Sequence, residues 1–375
     1  MGYVTVTGGR EAIDASLDLA NAFRLRGAER SLPTNEVRGQ LRLLVDRVMG
    51  EAGFYAQDYA ALALKQCEGD ALEAAFVLRA YRSTLERRYV ALPIQLSHMR
   101  VIRRISSAFR NVPGGQLLGP THDYRHRLLQ FALLEETPED IRRVLARLDE
   151  QAQSETSDGR LPKVSDILRA EGLLATPPAS MGAQDIFDIT REKVIFPASR
   201  SARLQTLARG ETGAMVALAY SSMRGFGAVH PTIGELRVGY CEWYIEHPFG
   251  DGSVCMGELL LTEVETVNSF KHNPESDEIQ FALGYGLCFG QNEVKGIAMA
   301  ILEHSLDTGG DAPAEDEEFV LSHVDSIESA GFVSHLKLPH YVTFQSSLDR
   351  IRNARREDER RKDVLHDQEL ELPTV

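Results

Sequence analysis

His335 and His340 stand five residues apart in the run His335-Leu336-Lys337-Leu338-Pro339-His340. Neutral imidazole is a good ligand for zinc and other borderline divalent metals. Pro339 stiffens the backbone that carries the second ring. Zinc takes about four ligands, or three and a water, so this pair is an incomplete set. The remaining ligands must come from elsewhere in the chain, from a partner or from solvent; otherwise both histidines are structural. A second pair, His122 and His126, has i, i+4 spacing and would share one face of a helix. Without a glutamate base on the same helix that spacing is a weak metal signal.

Carboxylates and cations form the next tier. Glu235, Glu258 and Glu263 fall in apolar, strand-like runs. They read either as buried carboxylates fit for acid–base work or as sheet-edge acids in solvent. Arg103 and Arg104 belong to a basic segment, residues 100–135, with Arg100, Arg110, Arg125 and Arg127. Basic charge concentrated in an acidic protein is a candidate anion site; the alternative is a solvated helix face. Arg224 lies close to Gly225, Gly227 and His230-Pro231 in a loop-like stretch, and Lys337 lies between the two histidines. Gly8-Gly9 follow a short alternating run at residues 3–7 and read as a phosphate-cradling turn or a plain one. The run GYGLCFG at 284–290 is one residue off a dinucleotide fingerprint. No acidic residue in a strand–helix–strand unit supports that role, so close backbone packing at a turn into a helix over 291–305 is the better reading. No nucleophile elbow, P-loop or kinase signature is present.

The elements that position these residues give an α+β fold. Residues 36–50 carry apolar side chains at i, i+4, i+7 and i+8, which predicts a helix with one buried face. A helix over 57–67 follows, and another begins at Asp70, with Glu73 completing a capping box. Thr137-Pro138 starts a helix. Alternating runs at 235–245 and 254–268 predict strands. A helix over 318–330 is expected to end at Gly331, and a charged helix to follow Ser347. The organisation is then a mainly helical region over 1–150, a loop-rich connection over 151–190, a mixed α+β domain over 191–345, and a charged tail over 346–375.

The chain has 375 residues and an acidic excess of 14 charges. Phosphate-backbone binding needs a basic footprint, so nucleic acid is excluded as a general partner. No run approaches the roughly 18 apolar residues of a membrane span. The four cysteines form no CxxC pair and read as reduced, mostly buried thiols of a cytoplasmic protein.

Several blocks together resemble one family. They include LLVDRVMGEAG (43–53), LALKQCEGDALEAAFVLRAYR (62–82), VPGGQLLGPTHDYRHRLL (112–129), PASRSARLQTLARG (197–210), ALAYSSMRGFGAVHPTIGELRVGY (217–240) and DEEFVLSHVDSIESAGFVSHLKLPHYVTFQ (316–345). The resemblance is to PhnI, a core subunit of the bacterial carbon–phosphorus lyase system. It implies that the chain displaces adenine from MgATP with an alkylphosphonate, giving a ribose 1-alkylphosphonate 5-triphosphate, and that alone it is a purine nucleoside triphosphate nucleosidase. It also implies PhnG, PhnH and PhnJ partners, two copies of each, with PhnL- and PhnK-like ATPase subunits. It further implies a zinc or other divalent metal at His335 and His340, near the contact with PhnJ. Such chemistry passes through an oxocarbenium-like sugar. It needs a carboxylate near the anomeric carbon and an acid for the leaving base, for which Glu235, Glu258 and Glu263 are available. It needs cations for the triphosphate, for which Arg103, Arg104, Arg224 and Lys337 are available. The alternative is a non-catalytic scaffold subunit.

Overall fold

The computed structural model describes residues 9–152, 161–174, 186–226, 231–273, 278–338 and 341–370. The expected strand at 3–7, Gly8, His230 and His340 lie outside the described residues. The chain forms two compact units, one of residues 32–327 and one of residues 1–31 with 328–375. The expected boundary over 151–190 is not where these units part.

In the larger unit, apolar periodicity builds α2 (Thr34–Gln40), α3 (Arg42–Ala52), α4 (Gln57–Gln66) and α5 (Ala71–Ser83). Val37, Val45, Val48, Met49, Leu64 and Leu78 meet in one core among them. The single helix expected over 36–50 is two, because Leu41 leaves helical backbone at φ −110°, ψ 35°. Asp70 caps α5, its carboxylate accepting from the Leu72 and Glu73 amides at 3.0 and 3.2 Å. Asp70→Ala should cost about 1 kcal/mol in denaturant unfolding, the worth of an N-cap.

Four antiparallel strands follow in the order β1 (Arg100–Ile105), β2 (Thr232–Glu246), β3 (Ser253–Asn273) and β4 (Glu278–Phe289). Strand alternation gives the sheet two faces. On one, Leu236, Val238, Leu260 and Val264 pack with Ala300 of α10 (Glu293–Thr308). The expected glycine turn over 284–290 is instead the end of β4. A methyl group at Gly284 or Gly286 would run into the Ala300 or Gly296 carbonyl of α10. These glycines therefore let helix and sheet touch backbone to backbone, as the packing reading required.

Outside that layer, α8 (Arg200–Arg209), α9 (Thr212–Ser221), α10 and α11 (Glu317–His323) share a second core. The helix expected over 318–330 breaks at Val324-Asp325. There the Val324 carbonyl accepts from the Glu211 amide at 2.7 Å. The Asp325 carboxylate turns to Arg79 and Arg209 at 2.6 and 3.4 Å, and α12 (Ser326–Ser334) begins afresh. Gly331 lies within α12 rather than at a helix end.

The opposite sheet face carries Cys241 and Leu261 in a smaller apolar cluster. It also receives residues 161–174, which sequence reads as linker. Here α7 (Val164–Ala170) buries Val164, Ser165 and Leu168, and Leu174 bridges to Phe281. This polar stretch is a strap over the sheet. α6 (Pro138–Ala152) starts at a reciprocal Thr137–Asp140 cap, and leaves Ile141, Val144, Leu145 and Leu148 exposed. Of the smaller unit, α1 (Arg10–Leu25) buries no residue, the His335–Lys337 turn follows α12, and α13 (Tyr341–Leu370) contains the expected charged helix but begins before Ser347.

Candidate functional site

Under the strap, the sheet buries a lattice of ion pairs. Arg104 is fully buried and donates through Nε to Glu235 at 2.5 Å. Its other two nitrogens reach the Pro113 and Pro162 carbonyls, each at 2.7 Å. The second Glu235 oxygen accepts from the Val164 amide at 3.0 Å. One strand over, Glu263 accepts from Arg237 Nε at 3.0 Å, Lys163 Nζ at 2.5 Å and the Tyr285 hydroxyl at 3.2 Å. Lys163 also reaches Glu265 at 3.0 Å. Burial pushes the Glu263 carboxyl up, but Arg237 and Lys163 outweigh it and hold the group below the ordinary carboxylate range. Burial, with Glu263 and Glu265 beside it, pushes the Tyr285 hydroxyl far above its ordinary value. Glu235 and Glu263 are thus interior carboxylates whose oxygens are engaged by the protein.

The basic segment begins as a strand and continues as an irregular loop rather than one helix, so the neighbours Arg103 and Arg104 face opposite sides of the sheet. Arg103, 1% exposed, lies on the α10 side of β1. It donates to Glu293 at 3.0 Å, to Asp123 at 2.5 Å and to the Leu118 carbonyl. Gln291 reaches the Pro120 carbonyl from the same side at 3.0 Å. Arg103 therefore ties down a loop instead of presenting its charge to solvent. That loop carries His122, Arg125, Arg127, Leu128, Leu129 and Leu133 around an open hollow of about 340 Å³. Arg127 holds left-handed backbone at φ 56°, uncommon for a residue with a Cβ. His122 and His126 are not on a helix, so the shared-face geometry is absent.

Glu258 has a different setting. Along β2, the alternation that buries Leu236 and Val238 continues through Tyr240, Glu242 and Tyr244. Opposite Glu242 in register on β3 is Glu258. With Arg100, Pro93, Gln95 and His98 these residues line a cleft of about 410 Å³. The Arg100 guanidinium lies 4.6 Å from the Tyr240 ring centroid and donates to both Glu258 oxygens at 2.9 and 3.1 Å. The Tyr244 hydroxyl donates to Glu242 at 2.6 Å. That bond pushes the Tyr244 pKa up to about 12, so the phenol stays protonated. Sequence reasoning named Glu258 but missed Glu242, His98 and the two tyrosines. The available signal was parity, since residues 240, 242 and 244 extend the buried 236/238 row with groups unsuited to a core.

Arg224 is exposed beside Gly225, 5.9 Å from the Tyr220 ring. Lys337 is exposed in the turn, and His335 is half-buried there. The His335 ring packs against Phe332 and its Nδ1 donates to the Phe332 carbonyl. A neutral ring with its proton on Nδ1 carries its lone pair on Nε2, the arrangement common among ligating histidines. Among the described residues, no three His, Cys, Asp or Glu side chains converge to hold a metal. Likewise, no helix among them is long and apolar enough to cross a membrane.

Sheet, strap and cleft occur in a chain that matches the family model described as bacterial phosphonate metabolism protein (PhnI) over residues 2–358. The chain belongs to that family. It is 51% identical over 360 residues to a putative C-P lyase subunit protein, HtxH, of Stutzerimonas stutzeri, covering 94% of this chain and 95% of the relative. It is 46% identical over 363 residues to the alpha-D-ribose 1-methylphosphonate 5-triphosphate synthase subunit PhnI of Escherichia coli, covering 95% and 99%. The protein of that name from Rhizobium meliloti is 45% identical over 367 residues, covering 95% of both chains.

Proposed function

We propose that this chain, with partner subunits, exchanges the adenine of MgATP for an alkylphosphonate. An anionic phosphonate oxygen attacks the anomeric carbon, the N-glycosidic bond breaks, and the base leaves with a proton. The product is a ribose 1-alkylphosphonate 5-triphosphate. Similarity over nearly the whole chain to two proteins named as subunits of that synthase carries the reading. Alone, the chain uses water as the nucleophile and acts as a nucleosidase.

The cleft supports this chemistry. Glu258 is a solvent-reachable carboxylate and can face the cationic, oxocarbenium-like sugar. Glu235 and Glu263 act at a distance, by holding the sheet that presents it. Arg125, Arg127 and Arg224 are cations available for the triphosphate, Arg103 and Arg104 position the loop that bears the first two, and Lys337 adds positive charge beside the histidine pair. His335 and His340 would hold the zinc or other divalent ion. Bound there, that ion would supply positive charge to an anionic oxygen of the substrate. The partners are PhnG-, PhnH- and PhnJ-like subunits with PhnL- and PhnK-like ATPases. The exposed Leu128, Leu129, Phe131 and Leu134, and the apolar stripe of α6, suit burial in such an assembly. The reaction runs in the cytoplasm, where the four free thiols stay reduced.

Purified chain incubated with MgATP should release adenine, and partners with methylphosphonate should redirect the product to the phosphonate ester. Glu258→Gln should lower kcat by about 100-fold or more with little change in melting temperature, the scale of a lost charge-stabilising group. No base release by the chain alone or by the assembly refutes the proposal. So does unchanged turnover in Glu258→Gln.

A further inference from the structure

We infer that the cleft between β1, β2 and β3 is a purine-riboside subsite, with Glu242 selecting the ribose hydroxyls and the Arg100–Tyr240 stack receiving the base. The inference rests on the reading that the chain handles MgATP and adds what the cleft recognises in it.

The charge of the cleft points to the nucleoside end of the substrate. Glu242 and Glu258 are direct cross-strand partners on one face. Like charges in that relation are destabilising unless something between them is favourable to both. Arg100 serves Glu258, and Tyr244 gives Glu242 one hydrogen bond to Oε2. Two opposed carboxylates are acceptors, and a ribose cis-diol offers two donors. A triphosphate placed there would meet like charge. The basic hollow around Arg125 and Arg127 has the opposite character.

The base has its own surface in the cleft. Guanidinium planes stack on aromatic faces, as Arg100 does on Tyr240 at 4.6 Å. The outer face of such a plane accepts a nucleobase by the same interaction. Arg100 is 61% exposed, so that face is open. Gln95 and His98 line the cleft with groups that can hydrogen-bond a purine edge. The floor is rigid, because Tyr240 packs on the cluster that joins the sheet to α10. At about 410 Å³ the cleft falls within the range of small-ligand pockets.

The test uses the full chain, alone and co-purified with its partner subunits. The probes are adenosine and the β,γ-methylene analogue of ATP, with ATP and 2′,3′-dideoxy-ATP as paired substrates. Wild type should bind both probes. Glu242→Gln and Arg100→Met should each weaken adenosine binding at least about tenfold, the worth of a charge-assisted contact. Glu242→Gln should also shrink the KM preference for ATP over the dideoxy nucleotide. Arg125→Ala with Arg127→Ala should weaken only the triphosphate probe. All of these side chains are exposed, so melting temperatures should hold.

If the cleft variants bind adenosine as wild type does while base release continues, the riboside subsite is overturned and the proposed reaction stands. If neither form of the protein binds nucleotide or releases base, the proposed reaction falls and takes the subsite with it.

Discussion

Glu263→Gln should lower the unfolding free energy by about 3 kcal/mol or more at neutral pH, as expected when one partner of a buried pair is removed. The reason lies in what remains. Arg237 and Lys163 would stay in place under the strap, and their positive charges would lose the carboxylate they share. Glu258→Gln supplies the contrast. Its pair with Arg100 is exposed to water, where ion pairs are worth about 1 kcal/mol at most. Urea denaturation of both variants beside wild type decides the matter. Equal midpoints for wild type and Glu263→Gln would show that the lattice adds no net stability.

The same pair predicts a pH dependence with a definite sign. The Glu263 carboxyl is held below its ordinary value in the folded chain. A group whose pKa is depressed on folding adds stability that is fully present above its unfolded value, about 4.3 for glutamate. That stability is lost as the pH falls through the lower, folded value. Wild type should therefore weaken on acidification across that window, and Glu263→Gln should lack this component. An identical acid slope in the two proteins would place the linkage in other carboxylates.

These carboxylates also show where sequence reading reached its limit. Helices announced themselves through local signals: Asp70 with Glu73, Thr137 with Pro138, and the apolar rows of α3 and α5. Strands β2 and β3 were legible from alternation. The strap over 161–174 was not, because its polar residues look like linker until Lys163 meets Glu263, a pairing between residues 100 positions apart. The same holds for Arg103 and Arg104. Adjacent arginines read as one basic surface, but in a strand neighbours face opposite ways. One turns to Glu293 on α10, and the other to Glu235 under the strap. Glu258 was legible as a carboxylate in a strand, and the cleft around it was not. Its other walls come from residues 93–100 and 240–244, which only the register of the sheet brings together.

His335→Ala and His340→Ala should each reduce bound metal from about one ion per chain to near none, since two imidazoles already fall short of a full zinc set. The surroundings of His335 would suit such a role. Its Nδ1 is tied to the Phe332 carbonyl and its ring rests against Phe332 at 5.0 Å, which fixes the ring's direction. Ordering a ring before the metal arrives reduces the entropy lost on binding. Because two imidazoles are an incomplete zinc set, the assembled complex should retain metal better than the free chain. Phosphonate processing should fall in both variants while co-purification of partners continues, which separates loss of metal from loss of assembly. His122→Ala and His126→Ala are the matched controls, because their loop lacks the helix that would bring both rings to one ion. Elemental analysis of wild-type, single-variant and control complexes at equal protein concentration is the deciding measurement. Equal metal content in all of them would return His335 and His340 to a structural role.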